Sequence, residues 1–316
     1  MTERGFGSLT AASAAILFGA SNVATVFLLR SFTPVGGALW RAVVAALLLV
    51  GFWLIQRALA SPRDPSHASG QPPDMASRLA RGLLIGLCGG PLFLVGLNLA
   101  VAGTGATVTA FVSGLYAVFA AVLAPVILAE PLRRRVVIGF VCALAGCAML
   151  SELTPEPAFT AGFVAALAAA VVYALYLVLG RRWSGPYRLE PIHLTGATVG
   201  TSIVSLAAWI AIVDPSTAAL GEPRPEAFGA LLFMALTLAA GQTLVMASVR
   251  RIQAARTAAF LLLNPVTATA LAALLLGERL SAIQLAGAVL VLAGMSVSIG
   301  LDRLVRPAAP TVQPRP

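Results

Sequence analysis

Four amides, Asn22, Asn98, Gln242 and Asn264, stand inside long runs of apolar residues, where each has to find a hydrogen-bond partner. Hydroxyls accompany them: Ser21, Thr25, Thr109, Ser113, Tyr116, Tyr173 and Tyr176, with Thr237, Thr243 and Thr257 in similar settings. Read as helix, Ser21 and Thr25 lie four apart on one face. Thr109, Ser113 and Tyr116 follow i, i+4 and i+7 as one stripe. Groups of this kind suit recognition of a polar, neutral or zwitterionic solute. Their other use is to bond one helix to another, at roughly 0.6–2 kcal/mol per contact.

Charge is scarcer. Arg41 falls well inside a run, seven residues past Pro34, or about 10 Å at ~1.5 Å per residue. It either snorkels to the outer interface or faces a cavity and attracts a carboxylate or phosphate. All twelve acids fall in tails, loops or run ends. Glu130 and Glu278 each close a run just before a polar turn, as interfacial ion-pair partners of Arg133 and Arg279 or as gating groups. A proton relay commonly needs a carboxylate at a run centre, and none is there. His67 lies in a loop and His193 near the start of a run, so facilitated movement, or coupling through the solute's own charge, is expected. Pro125 and Pro265 sit inside runs and cannot donate a backbone hydrogen bond. Pro265, preceded by Asn264, is the better place for a freed carbonyl to face a cavity; a packing kink is the alternative. Cys88, Cys142 and Cys147 all lie in apolar runs and lack metal-ligand spacing. With two peripheral histidines and no paired carboxylates, neither an intramembrane enzyme nor a metal or other cofactor is expected.

The elements that must hold these residues follow from composition. Of 316 residues, 59% are hydrophobic and 10% charged, against roughly 45–50% and about 25% for soluble domains. The mean hydropathy is +0.92. No water-soluble core of this length hides so much apolar surface, and disorder is excluded by the same figures. Ten stretches reach the ~20 apolar residues a membrane helix needs, or nearly so: 8–29, 34–56, 82–101, 106–128, 134–150, 158–180, 191–213, 227–247, 254–276 and 281–301. The first is too long for the ~7–15-residue core of a signal peptide. Arg57–Arg81, with four prolines, reads as a flexible loop, and 303–316 as a disordered cytoplasmic tail. All 21 basic residues are Arg. With the N-terminus inside, seventeen fall on the cytoplasmic side, while only Arg30, Arg224 and Arg279 fall on the other. Both termini are therefore expected in the cytoplasm. The net charge of +9 comes in short groups rather than a continuous basic face, so no nucleic acid is expected.

The chain also repeats. A shift of 148 carries Thr109 to Thr257, Val118 to Val266, Glu130 to Glu278, Gly139 to Gly287 and Gly146 to Gly294, without a gap. Each unit has five crossings, an odd number, so the second must enter the membrane inverted. Transporters are built this way, with the site near the midplane between halves. The expected units are 8–150 and 158–302. The small residues Gly139, Ala143, Gly146, Gly287 and Gly294 make close-packing stripes, used within the chain or in a homodimer.

These features resemble the drug/metabolite transporter superfamily, in its EamA-type branch, over about residues 8–302. The resemblance rests on Asn264-Pro265-Val266, then Leu275-Leu276-Gly277-Glu278-Arg279-Leu280, Gly287 and Gly294. The first half has Tyr116-Ala117-Val118 and Ala129-Glu130-Pro131-Leu132 in their place. Phe18-Gly19-Ala20-Ser21-Asn22 and the Pro34-to-Arg41 segment are also similar to the family. The resemblance implies an all-α polytopic membrane protein, with ten helices in two inverted five-helix repeats around a central cavity. It implies an exporter in the bacterial inner membrane, its partners the lipid bilayer and a small solute such as an amino acid or other metabolite. An exporter of amphipathic drugs and a non-transporting scaffold or sensor are the alternatives.

Overall fold

Proline opens four helices where its missing N–H would have had no partner, at Pro34, Pro91, Pro191 and Pro225. Ser281 and Gln284 close a reciprocal capping box at the start of the last helix. The computed structural model describes residues 3–59, 75–130, 134–150, 160–184, 191–218, 221–277 and 279–300. Within them run α1 (Glu3–Leu28), α2 (Pro34–Leu59), α3 (Met75–Gly89), α4 (Pro91–Gly114), α5 (Tyr116–Leu128) and α6 (Arg134–Leu150). The second half holds α7 (Ala161–Ser184), α8 (Pro191–Ile212), α9 (Pro225–Arg251), α10 (Ala254–Leu261), α11 (Leu263–Leu276) and α12 (Ala282–Ile299). A 3-10 turn, Pro215–Ala218, precedes α9.

Among the described residues, twelve helices make ten crossings because some join end to end. α3 continues into the first part of α4, the last part of α4 into α5, and α10 into α11. Among the described residues, eight segments are long and apolar enough to cross a membrane, and α5 is a shorter apolar helix. The third and fourth crossings are separated by one residue, Gly105, at φ 79° and ψ 170°, a conformation open essentially to glycine alone. Large apolar side chains such as Val126, Ile212 and Leu274 are 82%, 81% and 78% exposed, as a lipid-facing surface requires. The chain is a multi-pass membrane protein.

Packing reveals the inverted symmetry. α1 lies along α9 and α4 along α7; α1 meets α11 and α5 meets α7; α3 meets α8 and α2 meets α9. Each pair is the other's image when the first crossing is exchanged with the sixth, the second with the seventh, and so on. α6 and α12, the last crossing of each half, pack on one another. A Cβ on Gly139 would lie 2.4 Å from the Gly294 carbonyl oxygen, and one on Gly146 would lie 2.6 Å from that of Gly287. Rising numbers on α6 thus face falling numbers on α12, so the two are antiparallel. Gln284 Nε2 of α12 accordingly donates to the Leu150 carbonyl at the far end of α6, at 3.3 Å. The glycine stripes are used up inside the chain, which removes them as a homodimer surface.

The long loop is shorter than expected. α2 runs on to Leu59 and α3 begins at Met75, so helix takes in both ends of Arg57–Arg81. A helix already paid for by an apolar body continues through Arg57 and Arg78 with its backbone hydrogen bonds intact. The tail from residue 301 lies outside the described residues.

Candidate functional site

The fourth and ninth crossings both break in mid-course, and at nearly the same place in the repeat. α4 gives way to α5 at Leu115, and α10 to α11 at Leu262; a shift of 148 would put the second break at Leu263. In the second half the cause is Pro265, in the first turn of α11. Its ring cannot donate to the carbonyl of Leu261, four residues back. That carbonyl accepts instead from the Tyr116 hydroxyl at 2.7 Å. Tyr116 is the repeat equivalent of Asn264, so each half's break supplies one member of a contact across the molecule.

Beside these breaks lies an enclosed cavity lined by Phe18, Ser21, Asn22, Arg41, Phe93, Leu97, Tyr116, Tyr173 and Asn264. Asn22 Nδ2 donates to Asn264 Oδ1 at 2.9 Å, bonding α1 of one half to α11 of the other. Tyr173 is the centre of an aromatic wall, its ring 4.4 Å from Phe93, 5.3 Å from Tyr116, 5.5 Å from Tyr176 and 6.2 Å from Phe18. The cavity volume is about 20 Å³, room for a water and little more.

Arg41 does not snorkel. It is 2% exposed, its Nε donates to the Met234 carbonyl at 3.1 Å, and its Nη1 is buried without a hydrogen-bond partner. The Ser21 and Tyr173 hydroxyls are likewise buried and unpartnered.

Six of the twelve pathway candidates read from sequence therefore meet at one cavity: Ser21, Asn22, Arg41, Tyr116, Tyr173 and Asn264. The other described ones do not line it, and most of them join helices. Thr25 donates to the Ser21 carbonyl at 2.9 Å and faces Met234. Asn98 Nδ2 donates to the Pro34 carbonyl at 2.8 Å, and Gln242 Nε2 to that of Gly89 at 3.3 Å. Thr109 shares a hydrogen bond with Thr104 at 3.1 Å. Tyr176 packs its ring against Gly89. The side chain of Ser113 and the whole of Glu278 lie outside the described residues. Phe93 and Leu97 line the cavity although no polarity or spacing singled them out, because an apolar wall residue looks like any other residue of a membrane helix. Phe18 was visible only as part of an aromatic-glycine pair.

Both ends of the molecule are bridged between halves. At one end Arg181 Nε meets Glu130 Oε1 at 3.2 Å, and Arg181 Nη1 donates to the carbonyls of Val249 and Arg250 at 2.9 and 3.0 Å. Arg182 donates to the Ile127 carbonyl at 3.0 Å. These arginines satisfy the carbonyls that end α5 and α9. Glu130 is thus paired with an arginine of the other half; Arg133, its expected partner, lies outside the described residues. Arg251 pairs with Glu3 at 3.2 Å, and Arg256 has Arg4 and Arg135 for neighbours, so the arginines gather at this end. At the other end Gly221 N donates to the Ser31 carbonyl at 2.9 Å, Ser31 to that of Glu222 at 2.7 Å, and Thr33 to that of Thr217. Arg30 and Glu226 approach to 3.7 Å there.

Two halves broken at matching points around a cavity lined by both polar and aromatic side chains define a two-repeat membrane transporter architecture. The chain matches the EamA-like transporter family over residues 5–152 and again over 160–300, and it belongs to that family. A solved crystal structure, 18% identical, superposes with a TM-score of 0.72 over 96% of this chain and 100% of its own, a likeness of fold alone. No curated protein matches the chain.

Proposed function

We propose that the chain is a secondary transporter of the bacterial inner membrane that exports small polar metabolites such as amino acids. It does so by alternating access between its inverted halves, 8–150 and 158–302, with both termini in the cytoplasm. The observation that carries this reading is the Asn22–Asn264 bond in an enclosed cavity between halves, with separate bridges above and below it. Opening the Glu130–Arg181 end while the Ser31–Gly221 end stays joined exposes the cavity to one side, and the reverse exposes it to the other. The gathering of arginines at the Glu130 end supports reading that end as the cytoplasmic one.

The test is flux of a mixed amino-acid pool through proteoliposomes holding the purified protein, with and without an imposed pH gradient. Movement indifferent to the gradient is the expected result, because no described carboxylate lines the cavity to relay protons. Acceleration by the gradient would establish proton coupling, and an absence of movement in both conditions would remove amino acids as substrates.

A further inference from the structure

Arg41 brings a full positive charge into the cavity and meets no counter-charge there. Among the described residues no carboxylate pairs with it, and its Nη1 has no hydrogen-bond partner. A buried cation without a counter-ion is costly to maintain, and a site that opens to a ligand is one place where the ligand supplies the missing charge. Two further residues lining the same space, Ser21 and Tyr173, carry buried hydroxyls without a hydrogen-bond partner. Three donors around one small volume suit the oxygens of an anion. The rings packed around Tyr173 add an aromatic surface to the same space, which suits an apolar body. No described acidic side chain faces this space to receive an ammonium.

We propose that the transported solute is a small organic anion, its carboxylate held by Arg41 with Ser21 and Tyr173 and its apolar body laid on the aromatic wall. This rests on the transport reading and narrows its substrates by charge: net anions, acidic amino acids among them, rather than zwitterions or amines. It also supplies the driving force. In a cell held negative inside, each unit of negative charge leaving is favoured about fiftyfold per 100 mV (about 2.3 kcal/mol). Export of an anion then proceeds without a coupling ion or a relay carboxylate.

Three probes share a phenylethyl body and differ in charge: 3-phenylpropionate, phenylalanine and 2-phenylethylamine. With the full chain in detergent, 3-phenylpropionate is expected to raise the thermal midpoint and the other two to leave it unchanged. Arg41→Gln should abolish that shift, Arg41→Lys should retain part of it, and the ligand-free midpoint of Arg41→Gln should be no lower than that of the native chain. In proteoliposomes loaded with labelled 3-phenylpropionate, an inside-negative potassium diffusion potential should speed its exit. An equal shift with phenylalanine or the amine, no shift with any probe, or a shift surviving Arg41→Gln would overturn the anion site. So would a ligand-free Arg41→Gln that unfolds far below the native chain, since Arg41 would then be structural. Binding of the anion without flux keeps the site and removes the transport reading; flux of phenylalanine with no anion shift does the opposite.

Discussion

Tyr116 and Pro265 show how one residue's covalent constraint becomes another's binding partner. Proline leaves the Leu261 carbonyl without its helical donor, and a buried unpartnered carbonyl costs roughly 1–3 kcal/mol. The Tyr116 hydroxyl meets that need at 2.7 Å. Tyr116→Phe removes the donor and leaves the ring in place, so it should lower stability by about 1–2 kcal/mol. Thermal unfolding in detergent measures this. Pro265→Ala restores the N–H to α11 and should recover part of that loss in a Tyr116→Phe background. An equal effect of Tyr116→Phe with and without Pro265 would show that the two residues act independently. At this scale the sequence was informative about polarity and silent about partners. Asn22, Arg41 and Asn264 stood out because amides and charges are rare in membrane helices. Thr25, Asn98 and Gln242 stood out for the same reason, yet they bond helices together, since spacing along one helix does not say which face meets a neighbour and which a cavity.

The elements carry the repeat more legibly than the residues do. α5 ends on Ala129 and α11 on Gly277, both left-handed at φ 53° and 71°, and 148 residues separate them. Glycine adopts this conformation without the Cβ clash that alanine meets. The first half therefore keeps the turn geometry with the poorer residue. Ala129→Gly should stabilise the protein by about 1 kcal/mol, and Gly277→Ala should destabilise it by a similar amount. Both are read as shifts of the thermal midpoint, and an opposite sign for Ala129→Gly would mean that packing of its methyl outweighs the backbone strain. The ten spans were legible because each needs a long apolar run. The breaks at Leu115 and Leu262 were not, because they interrupt hydrogen bonding without interrupting hydrophobicity. Pro265 pointed to the second break, and nothing of its kind marks the first. The ends of Arg57–Arg81 were misread for a related reason, as polar residues there mark the end of lipid contact and not the end of helix.

At the scale of the molecule, the antiparallel α6–α12 pair fixes how the two halves stand. Arg134 opens α6 at the end where Arg135 approaches Gly300, the cap of α12. Arg279 lies just before the opening of α12, beside the carbonyl end of α6 that Gln284 reaches. Seventeen residues of α6, at ~1.5 Å each, separate these ends by about 25 Å. Cysteines placed at Arg134 and Arg279, both exposed, should therefore react from opposite sides of the membrane. The background must first lose Cys88, Cys142 and Cys147. In intact cells a membrane-impermeant maleimide should label the position-279 cysteine and reach position 134 only after permeabilisation, since the arginine-rich end holds Arg134. Labelling of both positions from outside would be incompatible with an inverted repeat that spans the bilayer. Reversed labelling would preserve the architecture and turn the molecule over, placing the Glu130–Arg181 bridge outside. In that orientation the arginines would defy the charge asymmetry that orients membrane proteins, and export would have to be re-read as the opening of the other end.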